Sequence, residues 1–131
     1  WPTLREMVSA NKRLVLFVED ARGSEPREPW LHYAWDTVFD TPYTFNSVSD
    51  FSSTLNRGGG GTKELFLVNH WLSGGLGLPD RNLADDANRR DVLSPRLQDC
   101  QATQGHFINY VGVDFYNIGD AFAVVDSINS L

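Results

Sequence analysis

Cysteine is almost missing from this 131-residue chain: Cys100 stands alone, so no disulfide can close within it. A lone small apolar thiol is read as a core residue, or as half of a disulfide whose partner lies elsewhere. No histidine or basic cluster is close enough in sequence to activate it. A basic excess is missing too. Eleven Lys and Arg face 17 Asp and Glu, giving a net charge of −6. That balance excludes the electrostatic footprint of a nucleic-acid binder and disfavours anionic membrane surfaces. No apolar run approaches the roughly 20 residues of a membrane-spanning helix. A phosphate-binding loop is missing despite four consecutive glycines at 58–61. That motif needs Gly-Lys-Ser/Thr entering a helix, and here Gly61-Thr62-Lys63 enters a predicted strand. No signal peptide is recognisable and the chain opens on Trp1, so a preceding segment is expected to have been lost by processing or truncation.

What is present is an ordinary globular composition, 41% hydrophobic and 21% charged, in a chain long enough for one domain over residues 1–131. Three short apolar runs end in polar groups. Leu14-Val15-Leu16-Phe17-Val18 meets Glu19-Asp20, Leu65-Phe66-Leu67-Val68 meets Asn69-His70, and Tyr110-Val111-Gly112-Val113 meets Asp114. Near-continuous apolar runs of this length suit strands buried on both faces. Ligands of parallel α/β folds sit at the carboxyl ends of such strands.

The remaining pattern fills in the order. Thr3-Leu4-Arg5-Glu6 fits a capping box and starts a short helix ending near Asn11. A strand is expected over residues 13–19, and a loop over 21–29, where Gly23, Pro26 and Pro29 cluster. Aromatics and Val38 favour one strand over 33–39, stopped by Pro42. The third strand is predicted over 64–70. A helical region over 80–104 is expected to break at Pro95 and to end at Gly105. The last strand covers about 107–115. A closing helix follows, with Phe122, Val125, Ile128 and Leu131 as its apolar stripe.

Strands alternating with helices imply parallel βα units. Four such strands cannot close a ring, and a complete (β/α)₈ barrel usually takes ~250 residues. The expected fold is therefore α/β: the C-terminal four strands, about half, of a TIM (β/α)₈ barrel. Alone, such a half exposes apolar edges or pairs with something.

The sequence Val111-Gly112-Val113-Asp114-Phe115-Tyr116-Asn117-Ile118-Gly119-Asp120 closely resembles the final barrel strand of the phosphatidylinositol-specific phospholipase C-like phosphodiesterases. Leu67-Val68-Asn69-His70-Trp71-Leu72-Ser73 resembles their penultimate strand. Trp35-Asp36 through Asp40-Thr41-Pro42-Tyr43-Thr44-Phe45 resembles the one before, and Arg13-Leu14-Val15-Leu16-Phe17 the fifth. The match spans the whole chain in order and is closest to secreted, microbial-type members. The resemblance implies in-line attack on a phosphodiester by a substrate hydroxyl or water, with two histidines as general base and acid. The family carries both on early strands that this chain lacks.

By that resemblance Asp114 is the catalytic candidate, orienting the general-base imidazole. Tyr43 would cover the apolar face of a cyclitol or sugar, and Asp40 would accept hydroxyl hydrogen bonds from it. His70, with Asn69 beside it, would stand on the substrate rim; the family does not use this position as acid or base. His32 and His106 begin strands and read as structural. Glu19 and Asp20 replace a basic residue of some relatives. Glu19, Asp36, Asp40 and Asp114 together suit a divalent cation, although no cofactor is assigned to the chain and any metal of the intact enzyme is expected on the missing half.

The expected role is thus the C-terminal part of a phosphoric diester hydrolase, secreted, acting on a lipid headgroup or glycerophosphodiester. The isolated chain is expected to be inactive, awaiting its N-terminal half. Two alternatives stand beside it. A non-catalytic half barrel would assemble with a second copy into a two-fold ring. A glycan-binding module would use Trp1, Trp30, Trp35 and Trp71.

Overall fold

In the computed structural model, residues 1–19, 28–59 and 63–130 are described; Asp20, most of the predicted 21–29 loop, Gly60–Thr62 and Leu131 lie outside them. The chain is α/β, with parallel strands in two small sheets.

Helix α1 (Leu4–Ser9) opens with the expected capping box: Glu6 N donates to Thr3 Oγ1, and Thr3 N donates to Glu6 Oε2 at 2.7 Å. Strand β1 (Leu16–Val18) pairs with β2 (Leu31–Tyr33), and β3 (Val38–Asp40), β4 (Leu65–His70) and β5 (Tyr110–Val113) form the second sheet in that order. The single strand predicted over 33–39 is therefore divided. A one-turn helix, α2 (Ala34–Thr37), interrupts it. Its first part hydrogen-bonds to one neighbour and its second part to another. Aromatic and β-branched propensity marks both parts but not the turn, because propensity does not report which neighbour a strand faces.

The second sheet has two faces of period two. Phe39, Phe66 and Val68 point to the back, where Leu93, Leu97, Cys100, Ala121 and Val124 from the helices complete the main core. Phe39 and Phe66 are register partners and stack at 4.5 Å. A smaller core of Phe45, Leu72 and Ala87 packs under the loops with Phe51 and Leu83. On the front, Tyr110 meets Phe17 of the first sheet at 6.4 Å. Phe17 in turn meets Trp1 and His32 at 5.9 and 5.8 Å. His32 and His106 are both packing residues; His106 stands edge-on to Phe39 at 5.2 Å.

The helical region breaks at a different place from the one expected. Helix α3 (Arg81–Ala87) ends at Asn88, and α4 (Arg90–Gln104) runs unbroken through Pro95. Pro95 is on the exposed side, where the Asp91 carbonyl it leaves unbonded is free to meet water. Asn88 makes the break because its buried Nδ2 donates to the carbonyls of Asp114 at 3.0 Å and Ile118 at 3.1 Å. Gly105 caps α4 in the left-handed region (φ 61°), as expected. On the closing helix α5 (Ala121–Asn129) the stripe is Ala121, Val124 and Ile128. Phe122 is 64% exposed and meets Tyr116 edge-on at 5.8 Å.

Candidate functional site

Four polar groups stand at or just past the carboxyl ends of the strands: Glu19 after β1, Asp40 ending β3, Asn69 within the last turn of pleat on β4, and Asp114 after β5. The parallel register of β3, β4 and β5 brings three of these ends to one side. The residue that joins them is Arg57, which composition and motif reading passed over as part of a glycine loop.

Arg57 is delivered by close backbone approach. Asp40 N donates to Arg57 O at 3.1 Å and Asn56 N donates to Asp40 O at 2.8 Å, so residues 56–57 line the edge of β3 away from β4. Gly58 makes this possible. Its φ is +85°, and a Cβ there would lie 2.1 Å from the Val38 carbonyl oxygen. The loop's other end is fastened to α4 by a buried guanidinium. Arg96 donates from Nη1 to Ser53 Oγ at 2.8 Å and from Nη2 to Ser52 O at 2.6 Å, and Gln104 Nε2 donates to Ser53 O at 2.6 Å.

The Asp40 carboxylate, fully buried, accepts four hydrogen bonds. Oδ1 takes the Arg57 backbone N–H at 2.9 Å; Oδ2 takes Arg57 Nε at 3.0 Å, Arg57 Nη2, and Asn69 Nδ2 at 3.0 Å. Arg57 Nη1 donates to Glu19 Oε2 at 3.1 Å. Both faces of the guanidinium are covered, by Trp35 at 4.2 Å and Tyr43 at 4.6 Å. Tyr43 stacks in turn on Trp71 at 6.4 Å. Burial works against the Arg57 charge, but the bond to Asp40 and the charges of Asp40 and Glu19 hold its pKa above the ordinary value. The residues Trp35, Arg57, Tyr43 and Trp71 thus form a column, and α2, the interruption of the predicted strand, is what carries Trp35 to it. Gly112 is its floor: a Cβ there would sit 3.2 Å from Trp71 Cζ3.

Asp114 follows the last residue of β5, two positions beyond Gly112 and so on the same face by alternation. It is half-buried, no side-chain hydrogen bond or ion pair engages it among the described residues, and burial raises its pKa.

Three expectations are corrected. Asp40, expected on the substrate rim, is instead buried, with its oxygens taken up by Arg57 and Asn69. Asn69 is itself buried, donating also to Thr41 O at 2.6 Å, and acts on the site through Asp40. His70 lies on the opposite face from Asn69, as adjacent strand residues must. It is completely buried, stacked on Phe51 at 4.5 Å, with Nε2 2.8 Å from the Ala87 carbonyl. A carbonyl only accepts, so Nε2 carries the proton and Nδ1 is left as a buried acceptor without a partner. Burial, helped by the Arg96 charge, pushes its pKa down to about 4. Nor do Glu19, Asp36, Asp40 and Asp114 gather as a cation site: among the described residues no group of three or more His, Cys, Asp or Glu is placed to hold a metal. No described helix is long and apolar enough to cross a membrane. Only Tyr43, of the residues proposed to meet substrate, is exposed.

The family model described as PI-PLC X 1 matches residues 1–129. A curated relative, PI-PLC X domain-containing protein 1 of Arthroderma benhamiae, is 31% identical over 139 residues, which cover 100% of this chain and 45% of the relative. The chain therefore spans somewhat under half the length of that protein. No solved structure matches. A family match over nearly every residue, together with parallel βα units and polar strand ends, means that this chain belongs to the PI-PLC X family.

Proposed function

We propose that the chain is the C-terminal half of a (β/α)₈ barrel and supplies one wall of a phosphodiester-cleaving cleft. The observation that carries this reading is the half-buried Asp114 carboxylate, which stands after β5 without a side-chain partner. An imidazole N–H from the other half is the partner it fits. Asp114 would fix the tautomer of that imidazole and stabilise the imidazolium formed when the ring takes the proton of the attacking hydroxyl. Tyr43 and Trp71 would cover the ring of the headgroup, and Asp40 and Asn69 would hold Arg57 and hence Tyr43. The substrate would be a phospholipid headgroup or glycerophosphodiester.

Among the described residues, the outer edges of β1 and β5 bond to no further strand. Beside them Leu14, Leu16, Phe107 and Tyr110 are exposed. This favours a partner for those edges, either the complementary half or a second copy. Sedimentation distinguishes them: a two-fold ring has twice the monomer mass.

The test joins this chain to the part of the Arthroderma relative that it does not match, and assays hydrolysis of phosphatidylinositol vesicles. The joined protein is expected to turn over while the chain alone does not, and Asp114→Asn is expected to cost at least about a hundredfold in kcat. Turnover by the chain alone, or an Asp114→Asn protein at full rate, overturns the reading.

A further inference from the structure

We propose that Asn88 is a positioning residue for the cleavage: it holds the main chain of Asp114 and thereby sets the direction in which that carboxylate stands beyond β5. The inference rests on the reading of Asp114 as the carboxylate that meets an imidazole of the other half.

Among the described residues the Asp114 carboxylate has no side-chain partner, so its main chain must aim it. The sheet stops short of that task, because the ladder ends where Val113 pairs with His70. The next residue, Phe115, has a φ of +49°, a conformation that strains an L-residue. Contacts from outside the strand must therefore hold the peptide plane between Asp114 and Phe115. Asn88 supplies them. Its Nδ2 donates to the Asp114 carbonyl at 3.0 Å and to the Ile118 carbonyl at 3.1 Å. Its own backbone carbonyl accepts from Asp120 N at 2.9 Å. Gly119 closes against it: φ is +75°, and a Cβ there would lie 2.7 Å from Asn88 Cβ. Residues 114–120 are thus folded around one buried amide.

That amide is present as a donor. Asn88 is almost completely buried, and its Oδ1 has no partner. An unpaired buried acceptor is unfavourable, yet turning the amide over would set that oxygen against two carbonyls, which only accept. The preceding residue does the corresponding work for β4, since the Ala87 carbonyl lies 2.8 Å from His70 Nε2. Adjacent residues at the end of α3 therefore grip the ends of adjacent strands. His70 is gripped by its side chain. Asp114 is gripped by its main chain, which fixes the carboxylate's origin and leaves its oxygens open to a partner.

The experiment follows the Asp114 carboxyl carbon of the isotope-labelled full chain through a pH titration by NMR, with the His70 ring as internal control. Burial raises the Asp114 pKa in the wild-type fold. Asn88→Ala is expected to let the carboxylate swing into water and bring its midpoint down to the ordinary carboxylate value, while His70, held through Ala87, keeps its own. A residue that only stabilised the fold would leave both midpoints in place in the folded molecules. Gly119→Ala pushes the loop off Asn88 from the other side, is expected to lower the Asp114 midpoint in the same way, and serves if Asn88→Ala does not fold. In the protein joined to the unmatched part of the Arthroderma relative, Asn88→Ala is expected to lower kcat about tenfold with little change in KM. It is expected to add nothing once Asp114→Asn is present, as for two residues acting through one group. An Asp114 midpoint that neither variant moves, a shift shared by His70, or a loss of kcat that persists in the Asp114→Asn background overturns this inference and leaves the cleft reading standing. Asp114→Asn at full rate removes the cleft reading itself, and the inference with it, whatever the titration shows.

Discussion

Arg57 is bound to Asp40 by its backbone N–H at 2.9 Å and by two side-chain donors, Nε at 3.0 Å and Nη2. One carboxylate therefore sets both the path of the loop and the direction of the guanidinium. The loop cannot shift without breaking the ion pair, and the ion pair cannot form unless the loop lies on the edge of β3.

Asp40→Ala should for that reason be among the most damaging substitutions in the chain. It leaves Arg57 without its buried partner and takes from Asn69 one of its two acceptors. The expected loss is about 3–5 kcal/mol, the usual cost of removing one member of a buried pair, read by urea denaturation. Arg57→Met strips the fully buried Asp40 carboxylate of its charged donor, whereas Asp40→Ala leaves the part-exposed Arg57 its bond to Glu19, so Arg57→Met should cost at least as much; a clearly smaller loss would mean that the carboxylate does not depend on the guanidinium.

Gly58 and Gly59 separate two reasons for glycine. Both have positive φ, +85° and +76°, but only Gly58 faces backbone at 2.1 Å, whereas Gly59 faces open space. Gly59→Ala should cost about 1–2 kcal/mol, the strain of a left-handed L-residue. Gly58→Ala should cost clearly more and should also disturb Trp35 fluorescence, because the edge pairing that carries Arg57 is lost.

His70 makes stability depend on pH. Its pKa is about 4 in the fold, against an ordinary value near 6.5 once unfolded. Between these values the unfolded chain binds a proton that the fold does not, so stability falls as pH falls from about 6.5 to about 4. A shift of this size corresponds to about 3 kcal/mol. His70→Gln should flatten the slope in that window, measured as the difference between wild-type and variant denaturation midpoints at each pH. An unchanged slope would exclude His70 as its source.

Asn88→Ala removes two donors, to the carbonyls of Asp114 and Ile118. With both acceptors left near the interior the cost should be about 2–3 kcal/mol. Hydrogen exchange should quicken selectively over residues 114–120, since that loop loses its tie to the end of α3; uniform protection there would contradict the assignment.

Local chemistry made much of this chain readable. The capping box at Thr3 and Glu6, the apolar run of β4 and the glycine stop at Gly105 depend on neighbours within a few positions, and each lies where its residues predict. The strand-end carboxylates were visible for the same reason, because an apolar run that stops at a charge marks an end. The tertiary structure alone decided which of those polar groups lie together on the front of the second sheet. Strand alternation turned His70 away from Asn69. A contact with a loop 26–30 residues distant ended α3 at Asn88 rather than at Pro95. Asp40 and Arg57 lie 17 positions apart, and no short spacing or periodicity announces a pair that exists only because Gly58 lets the chain press against β3. Charge pairing and burial are properties of proximity in space, and the order of residues sets that proximity only through the finished fold.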